Sequence, residues 1–199
     1  MTGRRPRGRL REEILDAAGR ILLETGDTRD VSIEAVVAAV GCTPPALYYY
    51  FPSKEQLLYE VCDGQYRKFA DALETAVLGI DEPVEELVAR GHAYLEWAVA
   101  HPEHYRVLFM SPPLDLPDGE EPDPRQAAGL AELIGNLERA IAARSLASGD
   151  VLQMSVSLWS AVHGIASLAV TNQAIPLEFA HHVLDLNSRA ILQSFAATQ

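Results

Sequence analysis

Residues 32–54, SIEAVVAAVGCTPPALYYYFPSK, decide the fold of this chain. Apolar residues recur at the i, i+3, i+4 and i+7 spacing of an amphipathic helix. They are Ile33, Val36, Val37 and Val40. Ser32 can cap the start of this helix, and Gly41 can end it, because glycine tolerates the left-handed backbone of a tight turn. Thr43 can cap a second helix that opens on Pro44, where a missing N–H costs nothing. The pattern predicts a helix, a three-residue turn and a second helix.

The second helix carries three consecutive tyrosines that cannot all be buried. Successive helical residues point about 100° apart, so Tyr48, Tyr49 and Tyr50 cannot all face one core. In a helix-turn-helix the second helix enters the major groove of DNA, while the first braces it against the backbone. We expect Tyr48 and Tyr49 to contact DNA and Tyr50 to be half-buried. The alternative is that the three rings are ordinary core aromatics.

Residues 41–54 resemble the recognition-helix signature of the tetracycline-repressor (TetR) family, Gly-Val-Ser-x-x-x-Leu-Tyr-x-(Tyr/His)-Phe-x-x-Lys. The resemblance covers about a quarter of the chain. It implies that Leu47 and Phe51 pack inward and that Lys54 lies against phosphates together with the first two tyrosines. It also implies that residues 43–46 face the base edges. The candidate DNA-binding residues are Ser32, Thr43, Pro44, Pro45, Ala46, Tyr48, Tyr49 and Lys54.

The chain departs from the family pattern where many relatives carry a polar residue that bonds a base. Pro44 and Ala46 stand at such positions, and neither side chain can make that bond. Ala46 can still touch a thymine methyl group. We therefore expect few base contacts, with residues 4–9 adding arginine contacts to the minor groove or to phosphates. The alternative is that this arginine-rich arm is a solubilising tail.

The formal net charge of the 199 residues, −12, argues at first against a nucleic-acid partner. The distribution of charge reverses this argument. Arginines at positions 4, 5, 7, 9 and 11 meet no acid before Glu12, whereas residues 55–199 carry 8 Lys+Arg against 21 Asp+Glu. A basic arm, a nearly neutral head and an acidic body are expected of a small DNA-binding regulator.

The rest of the chain predicts an all-α fold with little β-branched alternation. We expect a basic arm and a three-helix head over residues 1–54, and a six-helix body over residues 55–199. Within the body, the pattern predicts a long helix from Lys54 to Gly79, a mobile loop over residues 111–124 and a helix over residues 127–146. The family resemblance implies the same total of nine helices.

Residues 151–170 predict a helix that is apolar nearly all round. A surface helix of a monomer does not have this pattern, and the polar residues of the longer uncharged run 151–177 disfavour a membrane span. The family resemblance implies that the last two helices form a four-helix bundle with those of a second copy. Trp159, His163 and Gly164 have the spacing of the family's Trp-His-Gly subgroup.

A ligand pocket in the body is expected to combine apolar walls with a few polar groups. The candidate ligand-binding residues are Tyr66, His92, Trp97, Tyr105, Met110, Trp159 and His163. For each of them the alternative is an ordinary core or interface residue. Cys42 and Cys62 are too few for a structural zinc site, and we expect no metal, no cofactor and no catalytic motif.

The resemblance implies a homodimeric, ligand-responsive regulator, usually a repressor, that binds a palindromic operator. Filling the body pocket would tilt the long helix that begins at Lys54 and spread the two heads. No secretory leader is evident, so a cytoplasmic location is expected. The main alternative is a soluble helical module that binds small molecules without DNA activity, and a small helical enzyme is a more distant one.

Overall fold

The computed structural model describes residues 9–111 and 129–195. In these two ranges the chain forms nine α-helices, which confirms the predicted all-α class. The helices are α1 Arg9–Thr25, α2 Ile33–Val40, α3 Pro44–Tyr48, α4 Lys54–Ala76, α5 Pro83–Ala100, α6 Pro102–Tyr105, α7 Leu130–Ala142, α8 Val151–Thr171 and α9 Leu177–Ser194. A short 3-10 turn, Thr28–Asp30, lies between α1 and α2, and α6 continues as a π-helical turn, Arg106–Met110.

The described residues divide into two compact units. The first unit consists of residues 9–67 and 103–111, and the second consists of residues 68–102 and 129–195. Helix α4 therefore contributes its first part to one unit and its last part to the other. The division between head and body predicted from the sequence falls at the first residue of α4.

The first unit has a core built from α1, α2, α3 and the start of α4. Its fully buried side chains include Ile14, Leu22 and Val36. Leu47 and Phe51 are also fully buried, so both point inward as the resemblance implies. Each buried side chain of this size stabilises the fold by about 1.5–3 kcal/mol. This core holds α2 and α3 against α1.

The turn between α2 and α3 follows the predicted pattern with two differences. Ser32 Oγ accepts a hydrogen bond from the Ala35 N–H at 3.0 Å, and Gly41 ends α2 at a φ of 69°. The predicted cap by the Thr43 side chain is wrong, because its hydroxyl makes no capping bond and the Thr43 carbonyl accepts from Ala46 N–H instead. Helix α3 also ends at Tyr48, earlier than predicted, since Pro52 disfavours helical backbone just before it.

In the second unit α5, α7, α8 and α9 pack against one another. Leu137, Ala140 and Met154 form part of the buried core. The predicted extension of α7 to Leu146 is wrong, because the helix ends at Ala142 and Arg144 has a positive φ of 63°. The predicted start of α7 and residues 112–124 of the predicted loop lie outside the described residues.

Among the residues described, α8 has the length and composition of a membrane-spanning helix. Core helices of soluble proteins meet the same criterion. Met154, Leu158 and Val162 are buried on the side of α8 that packs against the rest of the second unit. One side of this helix therefore belongs to the core of the second unit.

Candidate DNA interface and ligand cavity

Helix α3 and the residues that flank it carry all the residues predicted to contact DNA except Ser32, which caps α2, and Lys54, which begins α4. Thr43 and both prolines are exposed, and Ala46 is half-buried. Tyr48 is 45% exposed and Tyr49 is 82% exposed, whereas Tyr50 is half-buried as expected. The Tyr49 ring meets Tyr50 edge-on, with 5.1 Å between the ring centroids. A hydroxyl held at the surface in this way can donate a hydrogen bond to a phosphate oxygen.

Lys54 lies close to the turn that precedes α2. Its Nζ donates to the Arg29 carbonyl oxygen, a neutral acceptor, at 3.1 Å. The Arg29 guanidinium instead pairs with Asp27 at 2.6 Å. The hydrogen bond from the Arg29 side chain is the largest cause that lowers the pKa of Asp27 to about 2. Asp27 therefore stays ionised at neutral pH, and its negative charge neutralises the positive charge of Arg29.

Several other arginines of the first unit are also paired with acids. The pairs are Arg9 with Glu13, Arg11 with Glu60, Arg67 with Asp63, and Arg106 with Glu103. Two of these pairs have the i, i+4 spacing of a helix and could have been predicted from the sequence. These ion pairs reduce the positive charge that the first unit offers to DNA. Residues 1–8, which carry three of the predicted arm arginines, lie outside the described range.

The second unit contains a mostly apolar cavity of about 60 Å³. Its walls come from the end of α4 and from α5, α7, α8 and α9, and they include Leu73, Leu133 and Val162. A water molecule needs roughly 10–15 Å³ on this measure, so the cavity has room for only a few waters or one compact molecule. A small, mostly apolar molecule can bind here, and a second, more open pocket of about 360 Å³ between α5 and α9 lies in the same unit.

The seven candidate ligand residues are not all brought to this cavity. Trp159 lines it. His163 does not line the cavity. Its Nδ1 lies 3.0 Å from the hydroxyl of Tyr94, which does line it. Trp97 packs against the wall residue Phe69, with ring centroids 5.0 Å apart.

The other four candidates lie elsewhere. His92 bonds His181 through the two Nδ1 atoms at 2.6 Å and bonds Asp185 through Nε2 at 2.8 Å. The remaining three belong to the first unit, where Tyr105 is buried, Tyr66 is half-buried and Met110 is exposed. In the described ranges no group of three or more His, Cys, Asp and Glu side chains could hold a metal ion.

A half-buried arginine in the cavity wall was missed by the sequence interpretation. Arg90 donates to Glu74 at 2.7 Å and to Glu86 at 3.0 Å, and Glu86 also accepts from Arg139. Burial alone would lower the pKa of Arg90, but its bonds to the two glutamates raise it. Burial would likewise raise the pKa of Glu86, and its two arginine partners hold it below the ordinary value. The spacing of Glu86 and Arg90 on one helix is the sequence signal for this cluster.

Burial lowers the pKa of His163 from its ordinary value of 6.5. The ring is therefore neutral at pH 7, and one of its nitrogens can accept a hydrogen bond. Tyr94 Oη lies within bonding distance of Nδ1 and can donate to it. The two residues form a polar link between α5 and α8 beside the cavity.

A helix-turn-helix with exposed tyrosines, together with a helical unit that encloses an apolar cavity, defines the class of helix-turn-helix regulatory proteins. Comparison with known families agrees: residues 14–61 match the bacterial regulatory proteins of the tetR family, and residues 87–187 match the tetracyclin repressor-like C-terminal domain. The chain belongs to the TetR family, which the resemblance predicted. This is a family of transcription regulators rather than of enzymes. The Trp-His-Gly subgroup stays a prediction.

Three similar proteins illustrate the relationship. The HTH-type transcriptional regulator Rv1816 of Mycobacterium tuberculosis strain H37Rv is 28% identical over 147 residues, 73% of this chain and 61% of the relative. EthR of Mycolicibacterium smegmatis is 30% identical over 87 residues, 44% of this chain and 40% of EthR. A tetR family transcription regulator from Shewanella sp. PV-4 has the same fold, with a TM-score of 0.72 and 21% identity over 95% of this chain and 99% of that one. This chain therefore covers less than two thirds of the length of Rv1816 and of EthR.

Proposed function

We propose that this protein is a cytoplasmic, ligand-responsive transcriptional repressor that binds a palindromic operator as a homodimer. The observation that carries the proposal is the exposure of Tyr49 on a helix-turn-helix of this family. An exposed tyrosine ring adds little to the stability of the chain that carries it. Because tyrosine combines an apolar ring with a polar hydroxyl, it is common where a protein surface binds a partner.

The proposed DNA contacts follow from the exposure of each group. Tyr48, Tyr49 and Lys54 donate to phosphates, while residues 43–46 lie along the base edges with little capacity for hydrogen bonds. Ser32 Oγ accepts the cap bond of α2, so its hydroxyl proton can still be donated to a phosphate. Specific recognition would then depend partly on DNA shape and on the N-terminal arm.

The proposed dimer uses the outer faces of α8 and α9. Large apolar side chains are exposed on both helices, and these are Val156, Leu168, Leu177, Phe179 and Leu186. Ser160 and Gly164 on α8 are exposed as well, and their small size permits a close approach by another helix. An exposed apolar face of this kind favours association with a second copy.

The proposed effector site is the cavity of the second unit. A ligand releases DNA only if it binds one arrangement of the protein more tightly than the other. Helix α4 begins at Lys54 and ends in the unit that contains the cavity, so it is the proposed carrier of the signal.

Selection of bound duplexes from a random pool tests the proposal. We expect an inverted repeat with half-sites about one helical turn or a multiple apart, because a two-fold dimer requires this symmetry. Enrichment of a single, unsymmetrical site would contradict the dimer. Absence of any enrichment at low salt would favour the alternative, a helical ligand-binding module without DNA activity.

The N-terminal arm contributes phosphate or minor-groove contacts in this proposal. Deleting residues 1–9 should weaken binding to the selected duplex and reduce the slope of log affinity against log salt by roughly one per lost phosphate contact. Fluorescence anisotropy at several salt concentrations measures both quantities. Unchanged affinity together with an unchanged slope would show that the arm is a solubilising tail.

A further inference from the structure

Two pairs of titratable side chains face each other across α5 and α9 in the second unit. His92 and Glu96 are four residues apart on α5, and His181 and Asp185 are four residues apart on α9, so each pair lies on one face of its helix. The Nδ1 atoms of the two histidines are 2.6 Å apart, and their ring centroids are 4.8 Å apart. The two rings therefore join the two helices at one point.

The two carboxylates lie at the outer ends of the histidine pair. His92 Nε2 lies 2.8 Å from Asp185 Oδ1, and His181 Nε2 lies 3.5 Å from Glu96 Oε1. The four side chains, Asp185, His92, His181 and Glu96, are called the histidine cluster below. The ring side chains are 27% and 23% exposed, and the two carboxylate side chains are 44% and 62% exposed. The cluster can therefore exchange protons with solvent.

The contacts determine how many protons the two rings hold together. An ionised carboxylate only accepts hydrogen bonds, so the Nε2 atom that faces Asp185 or Glu96 carries a proton. A hydrogen bond between the two Nδ1 atoms needs one proton, because two bare nitrogens have no donor and two protonated nitrogens have no acceptor. All contacts are satisfied when the two rings hold three protons and one positive charge.

The charged groups of the neighbouring helices are engaged elsewhere. Helix α8 carries no charged residue, and its one titratable side chain, His163, lies within bonding distance of a tyrosine hydroxyl on α5. Arg90 bonds Glu74 of α4 and Glu86 of its own helix, and Arg139 of α7 also bonds Glu86. The other titratable or charged side chains of α5, α7 and α9 are exposed, and these are Glu85, Glu132, Glu138, Glu178, His182 and Arg189.

We propose that His92 and His181 share one proton between their Nδ1 atoms and that this proton makes the packing of α5 against α9 depend on pH. A fourth proton would place two N–H groups against each other, and loss of the third would remove one of the hydrogen bonds. This inference goes beyond the proposed function. It also concerns the cavity, because Gly91, next to His92, packs against Leu184, and both of these residues line the cavity.

The pH dependence of unfolding distinguishes a shared proton from two independent histidines. Stability rises with pH where the unfolded chain holds more protons than the folded chain, and falls where it holds fewer. Two separate histidines in the unfolded chain hold three protons on average near pH 6.5, more below this pH and fewer above it. A folded pair that holds three protons is therefore most stabilising near pH 6.5. Its stabilising effect on the folding equilibrium constant should fall by up to about eightfold at pH 5 and at pH 8.

The test compares the wild type with the double variant His92→Gln and His181→Gln, which removes both titrating rings and keeps polar side chains. Urea denaturation of the full-length protein is measured from pH 5 to pH 8 with EDTA present, so that no metal ion links the two rings. The difference in unfolding free energy between the two proteins should pass through a maximum near pH 6.5. The matched control is His182→Gln, which changes an exposed neighbour on α9 and should give a difference without a maximum.

Nitrogen-15 nuclear magnetic resonance of the wild type is a second test that needs no folded variant. The chemical shift of each ring nitrogen distinguishes a protonated nitrogen from a bare one, and each signal is assigned through the bonds of its side chain. The four ring nitrogens of His92 and His181 should carry three protons at both pH 5.5 and pH 7.5. Two independent histidines would carry nearly four protons at the lower pH and about two at the higher pH.

The inference is overturned if the difference between wild type and double variant is flat or changes in one direction only from pH 5 to pH 8. It is also overturned if the proton count follows that of independent histidines. Neither measurement involves DNA, so both results are independent of the proposed function.

Discussion

The two units use aromatic side chains in opposite ways. In the first unit Tyr49 projects from the end of α3 with 82% of its surface exposed, whereas Tyr94 in the second unit is 4% exposed and forms part of the cavity wall. An exposed ring contributes little to the stability of its own chain, while a buried ring of this size contributes a large share. The difference indicates that the first unit acts through its surface and the second through its interior.

The largest expected effect is on the exposed face. The double variant Tyr49→Ala with Lys54→Ala should bind the selected duplex about a thousandfold more weakly, since four lost contacts per dimer cost roughly 1 kcal/mol each. Its thermal midpoint should stay close to that of the wild type, because Tyr49 is exposed and Lys54 loses only one solvent-exposed hydrogen bond. Anisotropy titration and circular dichroism provide the two measurements.

The matched control is Tyr59→Ala with Lys68→Ala. Tyr59 lies on α4 and is 43% exposed, similar to Tyr48. This variant should bind DNA as the wild type does. Equal losses in the two double variants would mean that α3 has no special role.

The next effect concerns the proposed outer face of the second unit. Leu168→Glu places a charge at the centre of the proposed dimer contact, where a disfavoured residue costs about 2–4 kcal/mol. The dimer dissociation constant should rise at least thirtyfold by sedimentation velocity. Leu78→Glu changes a still more exposed leucine that lies just after α4, outside α8 and α9, and serves as the control. A wild-type monomer, or a Leu168→Glu variant that dimerises normally, would contradict the proposed interface.

A smaller effect is expected on the stability of the first unit, where one glycine has a left-handed backbone and another lies inside a helix. Gly41 has a φ of 69°, and a Cβ added there would meet nothing within 4 Å, so Gly41→Ala isolates the strain of the left-handed conformation. The variant should lose about 1–2 kcal/mol of unfolding free energy. Gly64 also has open space but lies inside α4, where alanine should add about 0.5–1 kcal/mol. Urea denaturation measures both, and changes of the same sign would refute the assigned turn geometry.

The smallest expected effect is a pH dependence in the second unit. Because burial lowers the pKa of His163 in the folded chain, the unfolded chain takes up a proton first as the pH falls below 6.5. The contribution of the neutral ring to stability is therefore present above this pH and is lost below it. Between pH 7 and pH 5 the wild type should lose more unfolding free energy than His163→Gln, by urea denaturation. Parallel curves for the two proteins would argue against a buried neutral histidine.

The sequence allows more of the first unit to be predicted than of the second, for a physical reason. The burial of Leu47 and the left-handed turn at Gly41 depend on residues within one short stretch. The cavity depends instead on how five helices pack, and its wall joins residues as distant as Phe69 and Leu192. Tyr66 and Met110 were chosen as ligand candidates by residue type alone, and they do not line the cavity.

Local rules also failed where two of them competed. Thr43 has the position of a capping residue, but its backbone carbonyl rather than its side chain bonds the first turn of α3. Arg90 was overlooked because a single arginine on a helix usually lies at the surface. The packing of α5 against its neighbours half-buries this charge between the buried Glu86 and the exposed Glu74, and the contact with Glu74 could not be predicted from the sequence.

Hydroxyl-radical footprinting of the protein on its selected duplex tests the central claim most directly. Tyr49 should be oxidised readily in the free protein and at least about tenfold more slowly in the complex, because its ring would be covered by the DNA backbone. Tyr59, on α4, should be oxidised at the same rate in both. Unchanged oxidation of Tyr49 at saturating DNA, or equal protection of the two tyrosines, would contradict a DNA interface centred on α3.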